Sequence, residues 1–246
     1  MHQTFTQLGE HVFRIHTDSA ILMSRFTQLF VTSKTCPSQP VDLTLAIHTG
    51  YATSAPLLHH TLIEGANKSH FADEMFQFIF SSTDSSAEIY LSDPSVLNDA
   101  VLTFYGTLLI RTGWGLLIHA SAEQDSAGKV HLCVGTPETS EQLLPVRLSA
   151  ASPVVFTSNT IGNESAPQST GLPLASIDLV QPAFHNQRTK ASRSIILLRL
   201  LDQIAYWPNT SDETRLVLKL LRLFVHQLPV YSCFLRPGAT FSELIG

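Results

Sequence analysis

The sequence is short of charged residues, and basic residues are the scarcer kind. Only 14% of its 246 residues are charged, and 15 Lys and Arg stand against 20 Asp and Glu, so the formal net charge is −5. An average soluble chain carries roughly 25% charged residues. The shortage of basic residues excludes a cationic nucleic-acid-binding protein. The 44% hydrophobic content excludes an intrinsically disordered chain.

Cysteines and targeting signals are also scarce. The three cysteines, Cys36, Cys133 and Cys233, are widely spaced and form no C-x-x-C pair. This pattern favours a reducing compartment over a secreted disulfide framework. The first residues lack the basic start and apolar core of a signal peptide. The most apolar window, 101–120, contains Arg111 and three glycines, so we expect a cytoplasmic protein with no membrane span.

Residues 1–92 are predicted to form a mixed α+β region. Apolar residues alternate in short runs that are typical of half-buried strands, and they recur at helical spacing in one segment. The strands are predicted at 10–16, 41–47, 75–80 and 87–91, and the helix at 19–30. This region is therefore expected to be a small sheet with one helix.

Residues 93–246 are predicted to form a larger α/β core, either as a separate domain or packed with residues 1–92 as one domain. Asp93-Pro94-Ser95 is a helix-start signal, and the apolar pattern then runs to Ile110. Strands are predicted at 116–120, 130–134, 154–156, 177–180 and 230–235, with helices at 191–206 and 211–227. Thr210 and Glu213 fit a capping box for the last helix. The polar stretch 157–170 predicts a loop.

Gly135 lies where a phosphate-binding loop would begin, after an apolar strand and before a loop and a helix-like segment. The P-loop pattern G-x-x-x-x-G-K-[ST] uses backbone N–H groups and a lysine to hold phosphates. The eight residues here are Gly135-Thr136-Pro137-Glu138-Thr139-Ser140-Glu141-Gln142. Only the first glycine matches, so the loop by itself predicts nothing.

The residues before the loop are more specific. They read Gly115-Leu116-Leu117-Ile118-His119-Ala120-Ser121-Ala122 and then Gly128-Lys129-Val130-His131-Leu132-Cys133-Val134-Gly135. This segment resembles the HPr kinase/phosphorylase-like family, whose core is distantly related to that of phosphoenolpyruvate carboxykinases. The order of elements resembles the family as far as the strand at 228–231. The sequence is more similar to short, divergent relatives found beside peptide-modification genes than to HPr kinase itself. It implies an HPr kinase C-terminal-like P-loop core over 93–246.

The loop departs from the family pattern at every position that binds nucleotide. Ser140 replaces a glycine that needs a positive φ, at a cost of roughly 1–2 kcal/mol. Glu141 replaces the lysine and turns an attraction to phosphate, on the order of 4 kcal/mol at 4 Å, into a repulsion of similar size. Gln142 replaces the hydroxyl that meets Mg²⁺, and Pro137 removes a backbone N–H.

The family's paired acidic residues are missing as well. The corresponding stretch, 148–155, contains alanines and serines, and Glu164 is the only carboxylate between Leu143 and Ile177. Phosphoryl transfer depends on Mg²⁺ and on cationic stabilisation. We therefore expect ATP and Mg²⁺ binding to be absent or weak, and we expect no other cofactor.

Three hypotheses for function follow from this resemblance. The leading one is a catalytically inactive kinase-like protein, a pseudokinase, that acts as a binding or regulatory module for a protein or peptide partner and is able to self-associate. The second is an enzyme on the same fold that uses His119 and Glu164 on a non-ATP ligand near Gly135. The third is a structural subunit of a larger complex.

Other clusters have a structural and a functional interpretation. The densest basic group contains Arg188, Lys190, Arg193 and Arg199 on or near one predicted helix; it is either a solvated face or a patch that binds an anion or an acidic partner. The histidines at 59, 60 and 70 fit no standard zinc spacing, so no metal site is predicted. Cys133 is expected to be a buried small hydrophobe rather than a nucleophile.

Overall fold

A computed structural model describes residues 1–35, 39–50, 61–64, 68–72, 74–81, 85–135, 142–149, 152–157, 171–205 and 211–245. The chain divides into two compact units, and both are mixed α+β. The first contains residues 1–105 and 158–169, and the second contains 106–157 and 170–246. The division falls inside a helix, whereas the sequence predicted a boundary just before that helix, between residues 92 and 93.

The first unit is built on an eight-stranded mixed sheet. Its elements are β1 (His2–Leu8), β2 (His11–Thr17), α1 (Ala20–Leu29), β3 (Thr32–Ser33), β4 (Leu43–Thr49), β5 (Thr61–Glu64), β6 (Lys68–Ala72), β7 (Phe76–Ser81) and β8 (Ser86–Leu91), followed by the start of α2 (Leu97–Arg111). The strand order is β3-β1-β2-β4-β8-β7-β6-β5. The four predicted strands and the predicted helix are confirmed. The sheet is larger than expected, because β1, β3, β5 and β6 are short or mostly polar.

Helix α1 and the core of the first unit follow from local sequence. The Ser19 side chain accepts a hydrogen bond from the backbone N–H of Leu22 and so caps α1. On α1, Leu22 and Phe26 are buried. At the start of α2, the ring of Phe104 lies edge-on to Phe78 of β7, with 5.4 Å between ring centroids. These apolar contacts hold the helices against the sheet.

The second unit contains a seven-stranded sheet and three further helices. Its elements after α2 are β9 (Gly115–Gln124), β10 (Val130–Val134), β11 (Gln142–Arg147), β12 (Val154–Phe156), β13 (Gly171–Pro182), β14 (Gln187–Lys190), α3 (Arg193–Leu201), α4 (Ser211–Gln227), β15 (Val230–Leu235) and α5 (Ser242–Ile245). The order is β10-β9-β11-β12-β13-β15-β14, and β10 also pairs with β13. That extra pairing closes the first five strands into a ring. Strand β13 runs parallel to both β10 and β15.

Most of the elements predicted for this unit are confirmed, and one is wrong. The strands at β9, β10, β12, β13 and β15 and the helices α2 and α4 lie where the sequence placed them. The helix-like segment expected after Gly135 is instead strand β11, which runs antiparallel to β9. The third predicted helix is shorter than 191–206, and the four residues of β14 precede it as a strand. Thr210 of the predicted capping box lies outside the described residues.

A close approach of two strands requires a glycine at the start of β9. Gly115 pairs with Arg147 of β11. A Cβ atom at position 115 would lie 1.9 Å from the carbonyl oxygen of Val146. No side chain fits there without separating the two strands.

Across the described part of the chain, none of the helices combines the length and the apolar character needed to cross a bilayer.

Candidate functional site

The glycine that ends β10 has the backbone conformation of a loop-starting glycine. Gly135 has φ +85°, and a Cβ atom there would lie 3.3 Å from Cδ1 of Leu179 and 3.4 Å from the carbonyl oxygen of Val180. Both the positive φ and the tight space favour glycine.

The first described element after Gly135 is a strand and not a helix. Thr136, Pro137, Ser140 and Glu141 lie outside the described residues, and the description resumes at Gln142, the first residue of β11. In a P-loop, the N-terminus of the following helix supplies the N–H groups and the dipole that bind phosphate. Strand β11 supplies no such helix N-terminus.

Of the two candidate acid–base residues, the structure describes only His119. His119 lies on β9 opposite Leu143 and is half-buried, and its backbone N–H donates to the carbonyl oxygen of Gln203 at 2.7 Å. Glu164 lies outside the described residues. A joint role of the pair therefore stays a prediction.

A buried carboxylate that sequence reasoning missed lies at the centre of β13. Asp178 is fully buried, and both of its oxygens have donors. Arg188 donates from Nε to Oδ1 at 2.8 Å and from Nη2 to Oδ2 at 3.3 Å. The Cys233 thiol donates to Oδ1 at 3.2 Å, and the Ser176 hydroxyl donates to Oδ2. The signal in the sequence was an acid inside the apolar run Ile177–Val180.

Arg188 is committed to this network. Its guanidinium also donates to Ser176 Oγ at 3.0 Å and lies with Cζ 3.9 Å from the centroid of the Tyr231 ring. Burial by itself lowers the pKa of Arg188, but its hydrogen bonds to Asp178 and the charge of that carboxylate outweigh burial and raise it. Arg188 is therefore occupied inside the unit and is not free to bind an external anion.

The same network contains an acid–imidazole–hydroxyl chain. Oδ2 of Asp125 lies 3.2 Å from Nε2 of His131, and Nδ1 of His131 lies 2.7 Å from Oγ of Ser176. Serine hydrolases use this order of groups. Here Ser176 is only 1% exposed and its hydroxyl donates to Asp178. A nucleophile in that state has neither access to substrate nor a free proton to give to the imidazole, so the chain is structural.

Burial also makes the two described cysteines unreactive. Cys133 and Cys233 are buried, and burial first, with the charge of Asp178 second, raises the pKa of both thiols far above its ordinary value. A thiol that stays protonated is a poor nucleophile. The prediction that Cys133 is a buried small hydrophobe is confirmed.

The predicted basic group is divided between two elements. Arg188 and Lys190 lie on β14, and Arg193 and Arg199 lie on α3. Lys190, Arg193 and Arg199 are exposed, and Nε of Arg193 donates to the carbonyl oxygen of Val225 on α4 at 3.1 Å. The exposed basic surface continues onto α4, a part that sequence reasoning did not include. Its members there are Arg215, Lys219 and Arg222.

Metal ligands are not grouped in the part of the chain that the structure describes. No three His, Cys, Asp or Glu side chains among these residues are arranged to hold a metal ion. His59 and His60 lie outside the described residues, and of His70 only the backbone is described.

No protein-family model matches this chain, and no curated protein is similar to it in sequence. The assignment of function therefore depends on the residues and contacts above.

Proposed function

We propose that this chain is a catalytically inactive HPr kinase-like protein that acts as a binding or regulatory module for a protein or peptide partner. The observation that carries the proposal is strand β11, which follows the Gly135 loop where a nucleotide-binding core needs a helix. The parallel strands β10, β13 and β15, with Gly135 at the end of β10, support a core derived from such a fold.

Phosphate has little to bind to at this loop. In working P-loops, backbone N–H groups at a helix N-terminus and a lysine side chain hold the phosphates. Here the lysine position is Glu141 and the second glycine is Ser140. The strand conformation of β11 adds a geometric obstacle to these two chemical ones.

Mg²⁺ also lacks a free carboxylate on the strands from β10 onward. Among the described residues of the six strands β10, β11, β12, β13, β14 and β15, helices not counted, Asp178 is the only carboxylate. Its two oxygens are engaged by Arg188, Ser176 and Cys233. Releasing it to a metal ion would leave the Arg188 guanidinium without its partner inside the unit, which is unfavourable.

What the second unit does offer is an exposed surface suited to a partner. Between residues 190 and 222 six Lys and Arg and two Asp are exposed, in a chain whose net charge is −5. Exposed apolar side chains lie on the same helices. Charged surfaces of this kind steer and select partners, which favours a binding role over a purely structural one.

The experiment compares MgATP binding by the full chain and by a loop-restored variant, Ser140→Gly with Glu141→Lys and Gln142→Thr. We expect no thermal stabilisation of the natural chain by millimolar MgATP, because ligand that does not bind the folded state cannot shift unfolding. The restored variant should stay silent as well, because β11 still supplies no helix N-terminus and the carboxylate of Asp178 is still engaged. Micromolar binding of MgATP to the natural chain would overturn the proposal, and stabilisation of the restored variant alone would show that the loop residues, rather than β11, prevent nucleotide binding.

A further inference from the structure

An apolar stripe lies on the solvent side of α3. Ile195 is 52% exposed and Leu198 is 62% exposed. Leu201, which follows at the same spacing, is half-buried. Residues three apart on a helix lie on one face, so the three side chains form a continuous row. Single exposed leucines are ordinary, but a contiguous apolar row on a surface marks an interaction site.

The row borders a preformed depression. Leu198, Leu201, Asp202 and Ile204 line an open space of about 540 Å³. Backbone contacts fix its floor, because Ile204 forms a β-bridge with Ile118 of β9 and the N–H of Ala205 donates to the carbonyl oxygen of Leu117 at 3.0 Å. This open space beside the row can receive a side chain of a partner.

Exposed cationic side chains lie on the same two helices as the apolar row. Arg199 is exposed on α3, and Arg215, Lys219 and Arg222 are exposed on α4, where Leu223 adds a further apolar side chain at 46% exposure. Helices α3 and α4 pack against each other. The acidic residue Glu213 is buried on α4 with Oε1 3.6 Å from Nη1 of Arg111, so its charge does not reach this surface. The exposed acidic residues are Asp202 and Asp212, and Oδ1 of Asp212 lies 3.4 Å from Nη1 of Arg215. Arg199, Lys219 and Arg222 give the solvent side of the pair an excess of positive charge.

We propose that the exposed face of α3 and α4 is a docking surface for an acidic amphipathic helix of a partner protein. The proposal builds on the binding role proposed above and names the chemistry of the partner. Leucine-like side chains of the partner helix would enter the row and the depression, as in other helix-in-groove interactions. Its Glu and Asp side chains would meet Arg199, Lys219 and Arg222. Charge complementarity of this kind sets both partner choice and association rate.

Two other occupants fit the surface less well. An anionic bilayer is flat, whereas the apolar site beside α3 is concave. A second copy of the chain docked through the same face would bring cationic residues opposite each other, because a two-fold interface uses the same patch twice. An acidic helix meets both the shape and the charge.

The test uses the full chain and three labelled synthetic peptides, followed by fluorescence anisotropy. The first peptide is an amphipathic helix of Leu and Glu, the second has the same leucines with Lys in place of Glu, and the third has Ala in place of Leu. We expect only the Leu/Glu peptide to bind. Its affinity should fall when salt is raised from about 0.05 M to about 0.5 M, because exposed charges are screened.

Matched variants locate the site. Leu198→Glu and the pair Lys219→Glu with Arg222→Glu should each weaken binding of the Leu/Glu peptide at least about tenfold. The controls lie on α1 of the first unit, where Ile21 is 72% exposed and Arg25 is exposed. Ile21→Glu and Arg25→Glu should leave binding unchanged. All five positions are on the surface, so circular dichroism is expected to show native folding throughout.

Several outcomes would overturn the docking surface. These are equal binding of all three peptides, no binding of any, or no effect of the α3 and α4 variants. Binding to phosphatidylserine vesicles in place of the peptide, or concentration-dependent self-association that Leu198→Glu abolishes, would assign the face to another occupant. If no peptide binds while MgATP also fails to bind, only the docking surface is wrong. If MgATP binds, the proposed inactivity is wrong whatever the peptides do.

Discussion

Arg188 reaches from β14 across β15 to form a bidentate ion pair with Asp178 of β13. Register places Arg188 opposite Cys233 and Asp178 opposite Tyr231, so the guanidinium crosses the middle strand between these two residues. The Nε–Oδ1 distance is 2.8 Å, and Cζ lies 3.9 Å from the centroid of the Tyr231 ring. One side chain thereby ties together three strands of the second unit.

Arg188→Ala should lower the free energy of unfolding by about 3 kcal/mol, the lower end for a broken buried pair, since Arg188 keeps 22% of its side chain exposed. The physical reason is the uncompensated carboxylate left on β13. Urea denaturation measures the change. The double variant Arg188→Met with Asp178→Asn should lose less unfolding free energy, because it leaves no buried charge. A single variant within about 0.5 kcal/mol of the natural chain would contradict this role.

Cys133 and Cys233 should resist thiol reagents in the folded protein. Burial raises the pKa of both thiols, so almost no thiolate is present at pH 8. In a Cys36→Ser background, we expect no rapid reaction with a disulfide reagent before denaturation and two reactive thiols afterwards. Rapid stoichiometric labelling of the native protein would show that the β13 network is open to solvent.

His11 should make the first unit less stable in mild acid. Burial, opposed by the charges of Asp42 and Glu10, lowers the pKa of His11 below its ordinary value of 6.5. Because the unfolded chain then binds the proton more readily, the unfolding free energy is fully retained above about pH 6.5 and decreases as pH falls towards the lowered value. Nδ1 of His11 lies 3.2 Å from the hydroxyl oxygen of Tyr105, which is itself buried.

His11→Gln should therefore flatten the decline of stability below pH 6.5. Denaturation midpoints measured at several pH values give the slope. His2→Gln, at an exposed position on β1 of the same unit, is the control and should keep the natural slope. An unchanged slope in His11→Gln would mean that another group titrates in this range.

Gly115→Ala should destabilise the second unit by at least about 2 kcal/mol, since the new Cβ would overlap a backbone oxygen that cannot move alone. Thermal denaturation compares it with Gly113→Ala. At Gly113 nothing lies within 4 Å of an added Cβ, and only its φ of +68° opposes a side chain, at a cost of about 1 kcal/mol. Equal losses of stability in the two variants would show that the close approach of β9 and β11 is not the cause.

The sequence correctly predicted those strands and helices whose regular apolar pattern begins or ends at a clear boundary signal. Strand β10 is a five-residue run that is buried throughout, and α2 follows the Asp93 cap. It was misleading at β11, because Leu143 and Leu144 form an apolar run without alternation, which periodicity alone cannot assign to strand or helix. The family resemblance then favoured the helix.

The candidate site was harder to predict than the fold. Strand β14 reads Gln-Arg-Thr-Lys and has no apolar residue to indicate a strand, so Arg188 was grouped with exposed basic residues. Its partner Asp178 lies ten positions away, and only the register of β13, β15 and β14 brings the two together. Contacts of this kind depend on tertiary pairing, which no local pattern encodes.

Isothermal titration calorimetry of the full chain, with MgATP and with the Leu/Glu peptide under the same conditions, decides whether the chain binds an acidic partner or a nucleotide. We expect a saturable, salt-sensitive heat with the peptide and a dissociation constant for MgATP weaker than about 1 mM. A micromolar dissociation constant for MgATP would show instead that the chain is a nucleotide-binding protein.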